Sequence, residues 1–175
     1  MDHTAFRSTL ETPVGRIQLA VNGAGTLVEI LLPNRSRKPS APEPLPPGAA
    51  SGMREAQRQL IEYFHGTRRL FDLSLELHGS PFEQRVWMKL LDIPYGATAS
   101  YGRIAEQLGL ANGARAVGSA NGSNPIPIVI PCHRVVGSDG SLTGYGGGLP
   151  LKRALLELEG AIRPPALRLF ETSAQ

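Results

Sequence analysis

Cysteine is almost missing from this chain: Cys132 is the single one in 175 residues. One thiol excludes an internal disulfide framework and any zinc site built from several cysteines, and it fits a reducing compartment. No apolar run approaches membrane-spanning length, and the opening residues MDHTAFRSTLETP hold no apolar signal core. The expectation is a cytoplasmic protein with no membrane partner. Charge of one sign is also scarce: 18 Lys and Arg face 15 Asp and Glu, leaving +3. That balance permits a nucleic-acid partner without pointing to one. Hydrophobic residues at 41% and charged residues at 19% are ordinary for a globular chain, long enough for one domain or two small ones. Glycine (20) and proline (15) are the residues in good supply, and they punctuate the chain into segments.

Residues 6–33, FRSTLETPVGRIQLAVNGAGTLVEILLP, alternate short β-favouring runs with the turn signals TPVG and NGAG. They read as roughly three antiparallel strands. Residues 33–52 are rich in Pro, Ser and Gly and read as a mobile surface loop. MREAQRQLIEYFHG then places Ala56, Leu60, Ile61 and Phe64 on one helical face, ending at Gly66. RLFDLSLELHG, residues 69–79, alternates as a further half-buried strand would. An α/β N-terminal domain with a small antiparallel sheet is expected over residues 1–78. A mostly helical C-terminal domain is expected over 79–171.

That second part opens on Ser80, Pro81 and Glu83, a capping box with proline at the first helical position. Phe82, Val86, Trp87, Leu90 and Leu91 share one face of the helix that follows. Ser100 can cap a second helix, YGRIAEQL, and GLANGA leads to a third around ARAVGSAN. Two short helices joined by a glycine turn are the pattern of a helix-turn-helix, although helix pairs of this kind are common outside DNA-binding proteins. Near the end, LKRALLELEGA turns Leu151, Leu155 and Leu158 inward and finishes at Glu159.

Cys132 stands in PCHRVVG after the apolar run IPIVI. It is either a small buried hydrophobe, the usual role of a lone cysteine, or a nucleophile. His133 and Arg134 supply a base and a positive charge, but adjacent side chains of an extended strand point apart. His133 would then need a turn or a bridging water to serve the thiol. The glycine-rich TGYGGGLP matches neither a P-loop nor a dinucleotide fingerprint and presents Tyr145 in its midst. Glu159, unfavourably placed at a helix C-terminus, would be explained if it held His133 in one tautomer.

Taken together, FEQRVW, IPYGATASYGRIA, ARAVGSAN, NPIPIVIPCHRVVG, GYGGGL and LLELEG, running in order from Phe82 to Gly160, resemble the O6-alkylguanine-DNA alkyltransferase family. The N-terminal strands resemble it more loosely. The resemblance implies direct-reversal repair, in which the alkyl group of O6-alkylguanine moves irreversibly onto Cys132 after the nucleotide is flipped out. It implies that His133, through a water, and Glu159 deprotonate the thiol, and that Asn124 braces the turns around it. Tyr101 would help rotate the nucleotide and hydrogen-bond the guanine, and Arg115 would fill the vacated place in the stack. Tyr145 would form the pocket wall, while the backbones of Cys132, Val135 and Gly146 contact the guanine edge. Lys152 corresponds to a lysine beside the site and would count among the residues that bind the substrate or DNA. No cofactor and no metal are implied, and His3, His65 and His78 read as ordinary residues. Arg103 and Arg153 read as phosphate contacts or solvated charges. The expected partner is double-stranded DNA, with single-stranded DNA a second candidate, met by a monomer free to cluster along it and needing no protein partner. A DNA-binding module without chemistry and a cysteine hydrolase are the alternatives; the presence of Cys132 speaks against the first, and no dedicated motif supports the second.

Overall fold

The computed structural model describes residues 5–35 and 44–163. β1 (Phe6–Thr12), β2 (Gly15–Val21) and β3 (Leu27–Leu31) form an antiparallel sheet in that order. The first hairpin closes with Thr12 opposite Gly15, whose φ of +108° is cheap only without a Cβ. In the second turn, Asn22 Oδ1 accepts from the N–H groups of Ala24 and Thr26 at 3.0 Å. Ile17, Leu19 and Val21 are fully buried from β2, the central strand.

α1 (Pro47–Phe64) packs on this sheet and begins six residues inside the stretch expected to be a loop. Pro47 sits at a helix start, where its missing N–H is no loss, and Ala49 and Met53 bury against the sheet. The glycines that looked like flexibility are a close approach instead: a Cβ on Gly52 would lie 2.0 Å from Gly25 O. Residues 36–43 of the expected loop lie outside the described residues. The buried face of α1 runs through Ala56, Leu60, Tyr63 and Phe64, whereas Ile61 points to solvent at 42% exposure.

The extended segment after α1 is not a fourth strand. Leu75 makes one isolated parallel bridge to Leu27, with Leu27 N–H donating to Ser74 O and Glu76 N–H to Leu27 O. The neighbouring Asp72 is instead clasped by α1: Gln59 Nε2 donates to Asp72 O, and Asp72 N–H donates to Gln59 Oε1, both at 2.8 Å. An amide that mimics a strand edge takes the pairing the alternating pattern would have given to the sheet.

α2 (Pro81–Leu90) has the expected capping box, closed by Glu83 Oε2 accepting from Ser80 N–H at 2.9 Å. Its face is Val86, Trp87 and Leu90; Leu91 lies past the helix end and is exposed. Trp87 is buried and its indole N–H donates to Ala120 O at 2.7 Å, fastening α2 to the helix pair. That pair is α3 (Tyr101–Gln107), capped by Ser100 Oγ accepting from Arg103 N–H, and α4 (Ala114–Gly122). The turn between them uses left-handed residues at Gly109 and Asn112. β4 (Ala99–Ser100) pairs in parallel with β5 (Val135–Val136), so the start of α3 is pinned against the segment that follows the cysteine. α5 (Leu149–Leu158) buries Leu151, Leu155 and Leu156, while Leu158, expected inward, is half-buried.

Among the described residues no helix is long and apolar enough to cross a membrane, and no three His, Cys, Asp or Glu are grouped to hold a metal ion. His65 follows the last turn of α1, exposed, and His78 pairs with Glu76 at 2.8 Å; His3 lies outside the described residues.

Candidate active site

IPIVI does not continue as a strand. Its residues 126–130 are all buried and fold into turns, with Ile130 N–H donating to Ile126 O at 2.9 Å. Asn124 holds both ends: its Oδ1 accepts from Ile126 N–H and its Nδ2 donates to Ile130 O, at 3.0 and 2.9 Å. Ile128 takes φ of +77°, a conformation a β-branched residue adopts only when its surroundings impose it. These turns deliver Cys132–Arg134 as a single 3₁₀ turn, so Cys132, His133 and Arg134 do not alternate as they would in an extended chain.

His133 is fully buried and its Nε2 lies 2.8 Å from Glu159 Oε1. A carboxylate only accepts, so Nε2 carries the hydrogen and Nδ1 keeps its lone pair, buried and without a partner among the described residues. Burial outweighs the attraction of Glu159 and holds the imidazole below its usual pKa, in the neutral form a base requires. Glu159 stands in a crowded cage. Arg134 Nε and Nη2 donate to its two oxygens at 2.8 and 2.9 Å, and Tyr63 Oη donates to Oε1 at 2.7 Å from a helix 96 residues away. Burial alone would raise the carboxyl, but the His133 and Arg134 hydrogen bonds prevail and lower it to about 2. Arg134 also donates to Ile93 O at 2.6 Å. The guanidinium thus compensates the unfavourable placement of a carboxylate at the end of α5.

Cys132 is buried, and burial pushes its thiol up to about 11, against an opposing Asn124 hydrogen bond and the charge of Lys152. The resting sulfur is a thiol, and its reactivity depends on a base. It lies at the wall of a narrow cavity of about 120 Å³, shared with Asn121, Asn124, Tyr145 and Gly146. A second, wider cavity of about 660 Å³ opens beside it, lined by Tyr101, Arg115, Gly118, Thr143 and Tyr145. Tyr101 opens α3, and its hydroxyl accepts from Thr143 Oγ1 at 3.3 Å. Arg115 is exposed on the first turn of α4 at the rim. Tyr145 keeps a buried hydroxyl with no partner among the described residues.

Lys152 differs from its expected place as a ligand contact. It is fully buried, and its Nζ donates to Val135 O at 2.5 Å and Thr143 O at 2.8 Å, stitching the cysteine segment to the glycine-rich loop. Burial lowers its ammonium to about 8. Val135 N–H donates to Cys132 O, and its carbonyl, with Lys152 on one lone pair, keeps a second acceptor position. Three residues at the site escaped the sequence reading, Tyr63, Asn121 and Arg35, and Arg134 was read only as a positive charge beside the thiol. The Arg35 guanidinium carbon lies 3.4 Å from where a Gly146 Cβ would stand, and Arg35 lines both cavities. Arg134 had a local signal in its place beside His133, and Asn121 closes the quoted run ARAVGSAN; Tyr63 and Arg35 lie in segments with no chemical motif of their own.

The residues that build this site fall within a match to the family model described as 6-O-methylguanine DNA methyltransferase, DNA binding domain, which spans residues 81–161. The chain is 51% identical over 164 residues to the methylated-DNA–protein-cysteine methyltransferase of Mycobacterium tuberculosis, covering 93% of this chain and 97% of that protein. The chain belongs to the methylated-DNA–protein-cysteine methyltransferase family. The member from Methanosarcina acetivorans is 42% identical over 156 residues, covering 89% of this chain and 99% of that one. The crystal structure of Mycobacterium tuberculosis OGT in complex with DNA superposes with a TM-score of 0.79 at 48% identity, covering 92% of this chain and 96% of that one. Because these methyltransferase relatives match over nearly the whole chain, the likeness includes the three-stranded sheet and α1 as well as the helical part that carries Cys132.

Proposed function

We propose that this protein repairs alkylated DNA by direct reversal, moving the alkyl group from O6 of guanine onto its own Cys132. The observation that carries the reading is the buried thiol at a cavity wall beside a neutral, Glu159-oriented His133 whose free Nδ1 is sealed from solvent. α3 and α4 meet the duplex, and Arg115 enters the stack where the damaged nucleotide leaves it, offsetting a few kcal/mol of lost stacking. Tyr101, at the joint between α3 and the wide cavity, turns the nucleotide inward. The purine comes to rest against Tyr145 and the backbones of Cys132, Val135 and Gly146.

The thiol proton passes to His133 Nδ1 through one water, and Glu159 stabilises the imidazolium that forms. The thiolate displaces the alkyl carbon from O6 in line: the S–C bond forms, the C–O bond breaks, and the electron pair leaves on the guanine. Tyr101 Oη and the Gly146 N–H stabilise that leaving charge, and the proton lost by the thiol restores neutral guanine. A thioether has no path back to a thiol here, so each protein molecule acts once. All of these groups come from one chain, so a monomer suffices. Lys152 holds the two loops that frame the sulfur and favours the thiolate as it forms.

The test is to weigh the intact protein after incubation with duplex DNA containing O6-methylguanine. One methyl mass on Cys132, stoichiometric and without turnover, is expected. Tight binding with an unchanged mass would reduce the protein to a binding module, and repeated turnover would make it a hydrolase.

A further inference from the structure

Thr143 lines the wide cavity beside Tyr101, Arg115 and Tyr145. Its Oγ1 lies 3.3 Å from Tyr101 Oη and is the one partner of that phenol among the described residues. The separation is long for two hydroxyls, as hydrogen bonds at reaction sites commonly are before substrate arrives. Each residue is held independently of the other. Lys152 Nζ donates to Thr143 O at 2.8 Å, and the same buried ammonium donates to Val135 O. The Tyr101 ring lies along α4, where a Cβ on Gly118 would stand 3.7 Å from Cδ1 and Cε1. Thr143 is exposed, so water reaches the same spot; what the threonine adds is a donor with a fixed place.

We infer that Thr143 is a positioning residue for Tyr101, its Oγ1–H donating to Tyr101 Oη so that the phenol hydrogen is turned into the cavity. This rests on the alkyl-transfer reading above. A phenol carries one hydrogen, and beside another hydroxyl it can either donate or accept. With the cavity empty, both senses are open. A purine that offers Tyr101 only lone pairs settles the sense: the phenol donates to the purine, and the threonine donates to the phenol. As the C–O bond breaks and charge builds on the guanine, Tyr101 donates more strongly and its oxygen becomes the better acceptor. Both links then tighten together. Thr143 acts on the reaction without touching the reacting atoms. Its contribution grows toward the transition state, so it falls on the rate of transfer rather than on DNA affinity.

The test is single-turnover methyl transfer from duplex DNA containing O6-methylguanine, read on intact protein, with DNA affinity measured in a mobility assay. Thr143→Val keeps the shape and removes the donor, whereas Thr143→Ser keeps the donor. Thr143→Val is expected to slow transfer about fivefold with DNA affinity unchanged, and Thr143→Ser to stay within about twofold of wild type. In a Tyr101→Phe background, Thr143→Val should cost nothing further, because the oxygen it serves is gone. A valine variant at the wild-type rate, a serine variant as slow as valine, a loss confined to DNA affinity, or the same loss without the Tyr101 hydroxyl would each overturn the inference. If Tyr101→Phe transfers too slowly to be timed, the valine and serine rates decide alone. At an exposed position neither substitution should unfold the protein, and Thr143→Ala, equally without a donor, replaces the valine variant if that one does. Wild type gaining no methyl at all would instead overturn the repair reading.

Discussion

The two ends of the chain bury different things. The N-terminal part packs a sheet on a helix through apolar side chains, and among the described residues its buried polar groups are Gln18 and Gln59. Its charges stay outside, as in the Arg58 pairs with Glu55 and Glu62. The C-terminal part buries Asn121, His133, Arg134, Lys152 and Glu159 around one sulfur. Burying charge rarely adds stability over apolar packing, so a cluster of this kind is explained by chemistry rather than by folding. The parts are not independent, because Tyr63 reaches from α1 to the Glu159 carboxylate. The N-terminal part therefore helps hold the Glu159–His133 pair as well as the fold.

Replacing the sulfur should have the largest effect. Cys132→Ser is expected to abolish methyl transfer, read as an unchanged intact mass, while DNA binding in a mobility assay persists; loss of binding would make the residue structural. Next comes the cage. Glu159→Gln leaves Arg134 buried without its counter-charge and should cost about 3–5 kcal/mol in a urea melt. The wild-type carboxyl titrates near 4.5 unfolded and about 2 folded, so its stabilisation is complete above pH 4.5 and lost as pH falls through 2. Glu159→Gln should lack that acid limb.

The N-terminal part should respond to shape rather than charge. Gly52→Ala places a methyl group against the backbone of Gly25 and is expected to cost about 1–3 kcal/mol, with transfer by the folded fraction unaffected. Tyr63→Phe removes one hydrogen bond at the junction, worth about 1 kcal/mol, and should also slow transfer by the folded protein. A pure stability loss would restore the view of two separate parts. Arg58→Ala, at an exposed pair on α1, should leave the melting temperature unchanged.

Local signals carried well from sequence to structure. The turn residues around Gly15 and Asn22, the capping box at Ser80 and the cap at Ser100 each work through neighbours within a few positions. Where partners lie far apart in the chain, the pattern misled. The alternation of residues 69–79 implied a strand, but Gln59 from α1 claimed part of its backbone. The glycines near residue 50 suggested a loop because their partner, Gly25, is invisible to a local window. Lys152 looked available to a ligand until the fold supplied two carbonyls for it.

The sequence by itself determined the reactive groups, their order and the helices that carry them, because motif chemistry and capping are short-range. Only tertiary structure decided that Tyr63 and Arg134 close on Glu159, that Lys152 is spent on backbone, and that Asn121 Oδ1 finds no partner among the described residues. Those outcomes depend on which groups meet across long stretches of chain and on how much water remains between them, and neither is written in any local run of residues.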